Sequence, residues 1–366
     1  MAKVHITLVG KQIMPIAEGV RYANPDKVIL IYSDDKSSIE NVRKIISFFK
    51  HDSNISFEKR QFDAVDVNDI NRKIEKIRTL FQEDKISINI SSGTKTWAYC
   101  FTTLMGMCSN VEVFYVDQNS TIWNLTKNTQ EQLQFDMRQQ LILYFGSLPN
   151  YIEFENVENE VAKDANKCNQ LYLFNPSMFS ALVAKARKDA HLTHWEQKGN
   201  FLDWDKKTKT LLCHLNKFNK SLTLTLDSPQ ARKLLLDTAW FEYKVAKLLS
   251  QWDKVRGIWW GCVFVTDKNV QLNEIDLIVN LGKKLLFVEC KTKIDSPTDL
   301  DKFASATRNF SGSSTISLFI SNNPTNDIIK LKCDYNKIIC YSLQEHNDDM
   351  TPLISELEKR LNTQNA

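Results

Sequence analysis

The stretch Asn273 to Lys293 places two acids and an amine, Asp276, Glu289 and Lys291, in two apolar runs separated by Gly282-Lys283. With those two residues at the centre of a type II′ hairpin turn, Leu281 faces Lys284 and opposed positions sum to 565, so Asp276 faces Glu289. Directly opposed strand residues share a face with Cβ atoms roughly 4.5 to 5.5 Å apart, and the strand period of two brings Lys291 to the same face. Carboxylates that close repel, and burial beside Ile275, Leu277, Phe287 and Val288 raises the cost unless a cation or the lysine compensates. Oxygen donors without histidine or thiolate favour Mg²⁺ or Mn²⁺ over zinc. Cys290 points to the opposite face and reads as core, with its backbone carbonyl a candidate further metal ligand. The plainer alternative is a solvated strand pair closed by a Glu to Lys salt bridge.

Two loops suit an anion. Gly10-Lys11-Gln12 follows an apolar run, and Ser91-Ser92-Gly93-Thr94-Lys95-Thr96 precedes a helical segment beginning near Trp97. In the second loop Gly93 permits close backbone approach, the hydroxyls donate, and Lys95 adds positive charge beside a helix N-terminus. The same residues also serve as ordinary helix caps. Neither GxGxxG nor GxxxxGK[ST] occurs, which argues against dinucleotide cofactors and NTP hydrolysis. Weaker signals are Trp259 and Trp260 as base-stacking rings, Lys293, Lys302 and Arg308 as phosphate contacts, and His191 with His194 three apart on a helix.

The elements that must position these residues follow from apolar spacing. Strand-like runs at Val4 to Val9, Val28 to Tyr32, Ile55 to Phe62, Ile86 to Ile90 and Val111 to Val116 alternate with amphipathic segments at Ser38 to Phe49 and Val67 to Phe81. That alternation predicts a parallel, Rossmann-like α/β sheet over 1–146, whose ligands collect beyond the carboxyl ends of its strands. Helix Gln230 to Trp252, strand Ile258 to Val265, the hairpin, helix Thr298 to Phe310 and strand Thr315 to Ser321 make a second unit over 229–366. Between them, 147–228 reads as a connector or small intermediate region with a helix around Met178 to Gln197 and strands at Phe201 to Trp204, Thr210 to Leu215 and Leu222 to Leu226.

At 366 residues, 43% apolar and 25% charged, the chain can bury two cores, and wholesale disorder is excluded. A net charge of +3 does not identify a nucleic-acid binder. The eight cysteines contain no CxxC pair, which suits reduced thiols and argues against structural zinc. With no signal-peptide layout and no long apolar run, a cytoplasmic protein without membrane contact is expected.

Asp276 with Glu289-Cys290-Lys291, set in an αβββαβ order, resembles the D…ExK signature of PD-(D/E)XK nucleases, with Ile275 where the literal proline would stand. The resemblance implies catalytic roles for Asp276, Glu289, Lys291 and the helix acid Glu242, with Glu242, Asp276, Glu289 and the Cys290 carbonyl holding the metal. Together with the Ser-Ser-Gly-Thr-Lys-Thr loop, the chain resembles the CARF-nuclease effectors of type III CRISPR immunity over roughly 1–145 and 225–366. This second resemblance implies a homodimer that binds a cyclic oligoadenylate, most often cyclic tetra-adenylate, and then cleaves DNA or RNA. Gly10, Lys11, Gln12 and Ser91 to Thr96 are the expected ring contacts. Two other readings stay open: a constitutive repair or restriction nuclease whose N-terminal domain serves docking, and a nucleotide-responsive binding protein with an inactive nuclease fold.

Overall fold

In a computed structural model, residues 1–50, 54–117, 120–133, 135–189, 191–265, 271–282, 284–294, 298–308 and 315–362 are described. They group into two units, one of Met1–Leu148 and one of Pro149–Arg308 with Thr315–Leu361.

The first unit runs β1 (Lys3–Leu8), α1 (Met14–Ala23), β2 (Lys27–Tyr32), α2 (Lys36–Phe48), β3 (Ser56–Gln61), α3 (Val67–Leu80), β4 (Lys85–Asn89), α4 (Lys95–Met105), β5 (Val111–Val116), β6 (Thr121–Asn124), β7 (Thr129–Gln132) and α5 (Met137–Phe145). Its strands lie side by side in the order β3-β2-β1-β4-β5-β6-β7. The first five in that order are parallel and the last two are antiparallel additions. Val4, Ile6 and Leu8 pack with Ile70, Ile74 and Ile77 of α3 on one face, while Ile16, Val20 and Ile45 fill the other. A strand covered on both sides needs such continuous apolar runs, which is why they were visible in the sequence. Side-chain caps start the helices: Asp35 accepts from the Ser37 and Ser38 amides, and Thr94 from that of Trp97. The strand order reverses between β1 and β4, and the loops after those strands are the two that suit an anion.

The second unit runs β8 (Asn150–Glu153), α6 (Phe154–Phe174), α7 (Pro176–Lys188), β9 (His194–Gln197), β10 (Asn200–Asp205), β11 (Thr210–Lys217), β12 (Lys220–Leu226), α8 (Ala231–Leu236), α9 (Ala239–Leu249), β13 (Gly257–Val265), β14 (Gln271–Asn280), β15 (Leu285–Lys291), α10 (Thr298–Arg308), β16 (Thr315–Ser321), α11 (Asp327–Tyr335), β17 (Ile339–Ser342) and α12 (Thr351–Asn362). Its sheets are ordered β12-β11-β10-β9 and β17-β16-β15-β14-β13-β8. One core joins Trp195, Leu202 and Leu211 of the smaller sheet, through Trp240 and Val245 of α9, to Leu277 and Val288 of the larger.

Three expectations are corrected. The helix from Gln230 to Trp252 is two helices, because Thr238 takes a left-handed φ of +60° that ends α8 and turns the chain into α9. The helix from Met178 to Gln197 stops at Lys188, and His194–Gln197 forms a strand whose buried Trp195 pairs with Leu202. His194 is therefore on a strand, bonded through Nδ1 to the Asp203 carboxylate at 2.5 Å, and His191 is exposed beyond the helix end, so the two do not form a helical pair. Helix α6 was not anticipated from the sequence.

Candidate functional site

The hairpin register is the one the turn implies. Leu277 pairs with Val288, Ile278 with Phe287, Val279 with Leu286 and Asn280 with Leu285, and the Leu281 amide donates to the Lys284 carbonyl at 3.0 Å. Gly282 takes φ +84°, and a Cβ there would stand 2.8 Å from the Arg256 guanidinium carbon. Lys283 lies outside the described residues. Lys284 is buried, its ammonium donating to the Arg360 carbonyl of α12 at 3.2 Å.

Beyond Leu277 the ladder ends and the acids converge. Instead of a paired backbone, the Asp276 carboxylate accepts the Cys290 amide at 2.7 Å. Lys291 Nζ stands 2.6 Å from Glu289 Oε1 and 4.0 Å from Asp276 Oδ2, so the three predicted side chains do share one face. Glu242, in the first turn of α9, accepts from Trp260 Nε1 at 2.5 Å. The Cys290 side chain is in the core, and burial holds its thiol well above the ordinary range. Trp259 and Trp260 are both buried, Trp259 stacked on Tyr151 at 3.7 Å, so neither ring is open to a base. Lys302 is exposed on α10, and the Arg308 side chain lies outside the described residues.

The electrostatics are those of acids crowded out of water. Burial, then the charge of Asp276, pushes Glu242 up to about 8 and Glu289 up to about 7. Burial also raises Asp276, against the pull of Lys291. Burial works against the Lys291 ammonium, but the charges of Asp276 and Glu289 outweigh it and keep the lysine above its ordinary value. An all-carboxylate donor set with unfavourable buried charge is the kind a hard divalent cation neutralises. Among the described residues, however, no three His, Cys, Asp or Glu side chains are already gathered closely enough to hold an ion. Lys291 stands against Glu289, and Glu242 is turned to Trp260.

One cation here was missed by sequence reasoning. Lys233 of α8 lies with its Nζ 5.2 Å from the centre of the Trp260 ring, and its charge reaches both Glu242 and Asp276. No local spacing signals it, because it arrives from a different helix.

In the first unit, a cleft of about 410 Å³ at the strand-order reversal is lined by Gly10, Lys11, Gln12, Ser91, Ser92, Gly93 and Thr94 together with Ser33 and Asp35 from the loop after β2 and Ser37 and Ser38 from the first turn of α2. The two glycine loops touch: Ser92 Oγ accepts the Gly10 amide at 3.1 Å and donates to the Gln12 carbonyl at 3.2 Å. A Cβ on Gly10 would stand 2.5 Å from the Gly93 nitrogen, and Gly93 takes φ +79° with Leu8 and Trp97 against it. Ser91 is committed to the wall, bonding the Asn89 side chain and accepting the Val116 amide at 2.6 Å. Lys95, exposed, and Thr96 do not line the cleft. Asp35 was missed; its signal is its place at the carboxyl end of β2, next to β1.

A family model described as "HFX_2341_N:-like, N-terminal" matches residues 3–121. No curated protein matches the chain. Among solved structures, Can2 from Sulfobacillus thermosulfidooxidans in complex with cyclic tetra-adenylate is 21% identical, with a TM-score of 0.68 over 99% of this chain and 98% of that one. Protein VC1899 from Vibrio cholerae is 14% identical, with a TM-score of 0.70 over 98% of each. A type III CRISPR defence DNA nuclease activated by cyclic oligoadenylate is 13% identical, with a TM-score of 0.54 over 94% of this chain, which spans about half (48%) of that protein's length. Among the described residues no helix is long and apolar enough to cross a membrane. The chain thus shares the fold of Can2 and of protein VC1899 over nearly its whole length, a Rossmann-like N-terminal unit followed by a second α/β unit.

Proposed function

We propose that the chain is a nuclease of type III CRISPR defence, switched on by a cyclic oligoadenylate and of the PD-(D/E)XK type. The observation that carries this reading is the meeting of Asp276, Glu289 and Lys291 at the open end of one hairpin, with Glu242 buried behind them. It is supported by a fold shared end to end with Can2, whose structure holds cyclic tetra-adenylate. The cleft between Gly10-Lys11-Gln12 and Ser91–Thr94 is then the ring site, offering backbone amides and hydroxyls to phosphate. A twofold-symmetric ring on the axis of a homodimer would receive these contacts from each subunit. Binding that favours one arrangement of the dimer biases the nuclease toward its active state.

At the hydrolytic site Asp276, Glu289 and Glu242 would hold Mg²⁺ or Mn²⁺, which when bound polarises the scissile phosphate and acidifies the attacking water. Lys291, which the charges of Asp276 and Glu289 hold above its ordinary value, would as an ammonium orient water by donation and offset negative charge growing on phosphate oxygens. Trp260 fixes the Glu242 rotamer through its indole N–H. The substrate is DNA, RNA or both. Labelled single-stranded DNA, RNA and supercoiled plasmid incubated with Mn²⁺, with and without cyclic tetra-adenylate, test the reading. Cleavage that requires both is expected. Equal rates without the ring would favour a constitutive nuclease, and no cleavage under any condition an inactive one.

A further inference from the structure

Two consecutive cations of α8 each lie over the face of a tryptophan, and the tryptophans belong to different sheets. Lys233 reaches Trp260 of β13, and the Arg232 guanidinium lies 5.9 Å from the centre of Trp204 of β10. Room for Lys233 is made by Gly261, which stands across from Asp276 in β13, takes φ +62°, and interrupts the pairing with β8. A Cβ on Gly261 would come 3.1 Å from Lys233 Nζ. On the other side, Trp204 leads through Asp205 into the turn Lys206-Lys207-Thr208-Lys209, all exposed. The Asp205 carboxylate is occupied with the Lys207 and Thr208 amides, at 2.8 and 3.4 Å, and so shapes the turn. The acid of the adjoining strand position, Asp203, is bonded to His194. Positive charge therefore predominates along α8 and at the β10–β11 turn, where three lysines stand against the ionised carboxylate of Asp205.

We propose that α8 and the β10–β11 turn form a track for the phosphodiester backbone of the nucleic acid to be cleaved, with Lys233 as its innermost contact beside Asp276 and Glu242. The inference rests on the nuclease reading and names where the substrate lies. A polyanion is the ligand whose charge repeats along such a line, and cations braced on aromatic faces meet it with little rotamer freedom left to lose. Phosphate contacts of this kind position a strand without reading its sequence.

The test uses the full chain and a fluorescein-labelled single-stranded DNA, with binding read by anisotropy in EDTA across a salt series. Replacing Lys206, Lys207 and Lys209 together by Gln should weaken binding about tenfold and flatten the slope of log affinity against log salt by about 2. Replacing Lys198, Lys217 and Lys220 together by Gln removes the same charge from the opposite end of the same small sheet and should leave binding near wild type. Equal losses from both triples, or an unchanged salt slope in the first, would overturn the track. Lys233→Gln should lower kcat/KM at least tenfold on activated, Mn²⁺-loaded protein, with Lys233→Arg restoring most of it; equal rates for Gln and wild type would remove Lys233 from the track. If the first triple alone loses binding while wild type never cleaves, the track stands and the nuclease reading falls. If wild type cleaves and the first triple binds and cuts like it, the reverse holds.

Discussion

Lys291 stands 2.6 Å from one carboxylate and 4.0 Å from another, which both keeps it charged and offsets their mutual repulsion. Its replacement removes a donor aimed at developing phosphate charge, and groups of that kind are worth about 10²–10³ in rate. Lys291→Ala should therefore abolish detectable cleavage while the far-ultraviolet circular dichroism stays that of wild type; cleavage within a few-fold of wild type would remove Lys291 from the chemistry. Glu242 gives a second residue-level prediction, on stability. Burial and Asp276 raise its carboxyl from 4.5 to about 8, so between those values the folded chain holds a proton that the unfolded chain releases. In EDTA this group's contribution is therefore intact below pH 4.5 and declines as pH rises toward 8, by a few kcal/mol at most. Urea unfolding in EDTA at pH 5 and pH 8 should show the decline, Glu242→Gln should reduce it, and Mn²⁺ should recover stability at pH 8 through binding to the folded state. A profile that Glu242→Gln leaves unchanged would contradict the assigned burial.

At the level of elements, the approach to α8 is held by Asp164 of α6. Its buried carboxylate accepts the Asp227 and Ser228 amides, both at 2.7 Å, and pairs with Lys167 at 2.8 Å. Asp164→Ala strands two amides and takes one of its partners from the Lys167 ammonium, which keeps the Thr225 carbonyl, and should cost about 3 kcal/mol in denaturant unfolding. Gly282→Ala should cost about 1–2 kcal/mol, since Ala must adopt a left-handed backbone and displace Arg256; an unchanged urea midpoint would show that the turn relaxes freely. The register of this hairpin was legible because two apolar runs of matched length flank one glycine, and a turn sets every pairing after it. The inner parallel strands were legible from their apolar runs, clearest in Lys27–Tyr32, while the edge strand Ser56–Gln61 is polar at most positions. The break at Thr238 was not, since threonine has no local reason to go left-handed and only the packing of α8 and α9 on a common core requires it. Helix α6 carries Val161, Ala165, Cys168 and Tyr172 at spacings of three and four, but the lysines, asparagines and Asp164 between them hid the stripe. For the candidate site, the meeting of Asp276, Glu289 and Lys291 on one face was legible, whereas the nearness of Lys233 was not: it depends on the missing side chain of Gly261, in the strand beyond the next helix.

For the molecule as a whole, the proposed sensor function has a thermodynamic signature independent of catalysis. A ligand that binds only the folded chain adds about 2.7 kcal/mol of stability at a hundred times its Kd, so cyclic tetra-adenylate should raise the melting temperature of wild type. Gly10→Val should erase that shift, because even a Cβ on Gly10 would stand 2.5 Å from the Gly93 backbone, closing the seam between the two loops of the cleft. A shift that survives Gly10→Val would place the ring elsewhere. The buried Lys284 has a practical corollary. Its ammonium donates to the main chain of Arg360, inside α12, so the hairpin that carries the acids is fastened to a helix 76 residues further along the chain. Protease nicking ahead of Arg360 would free the far end of that fastening and loosen the hairpin without touching an acidic residue.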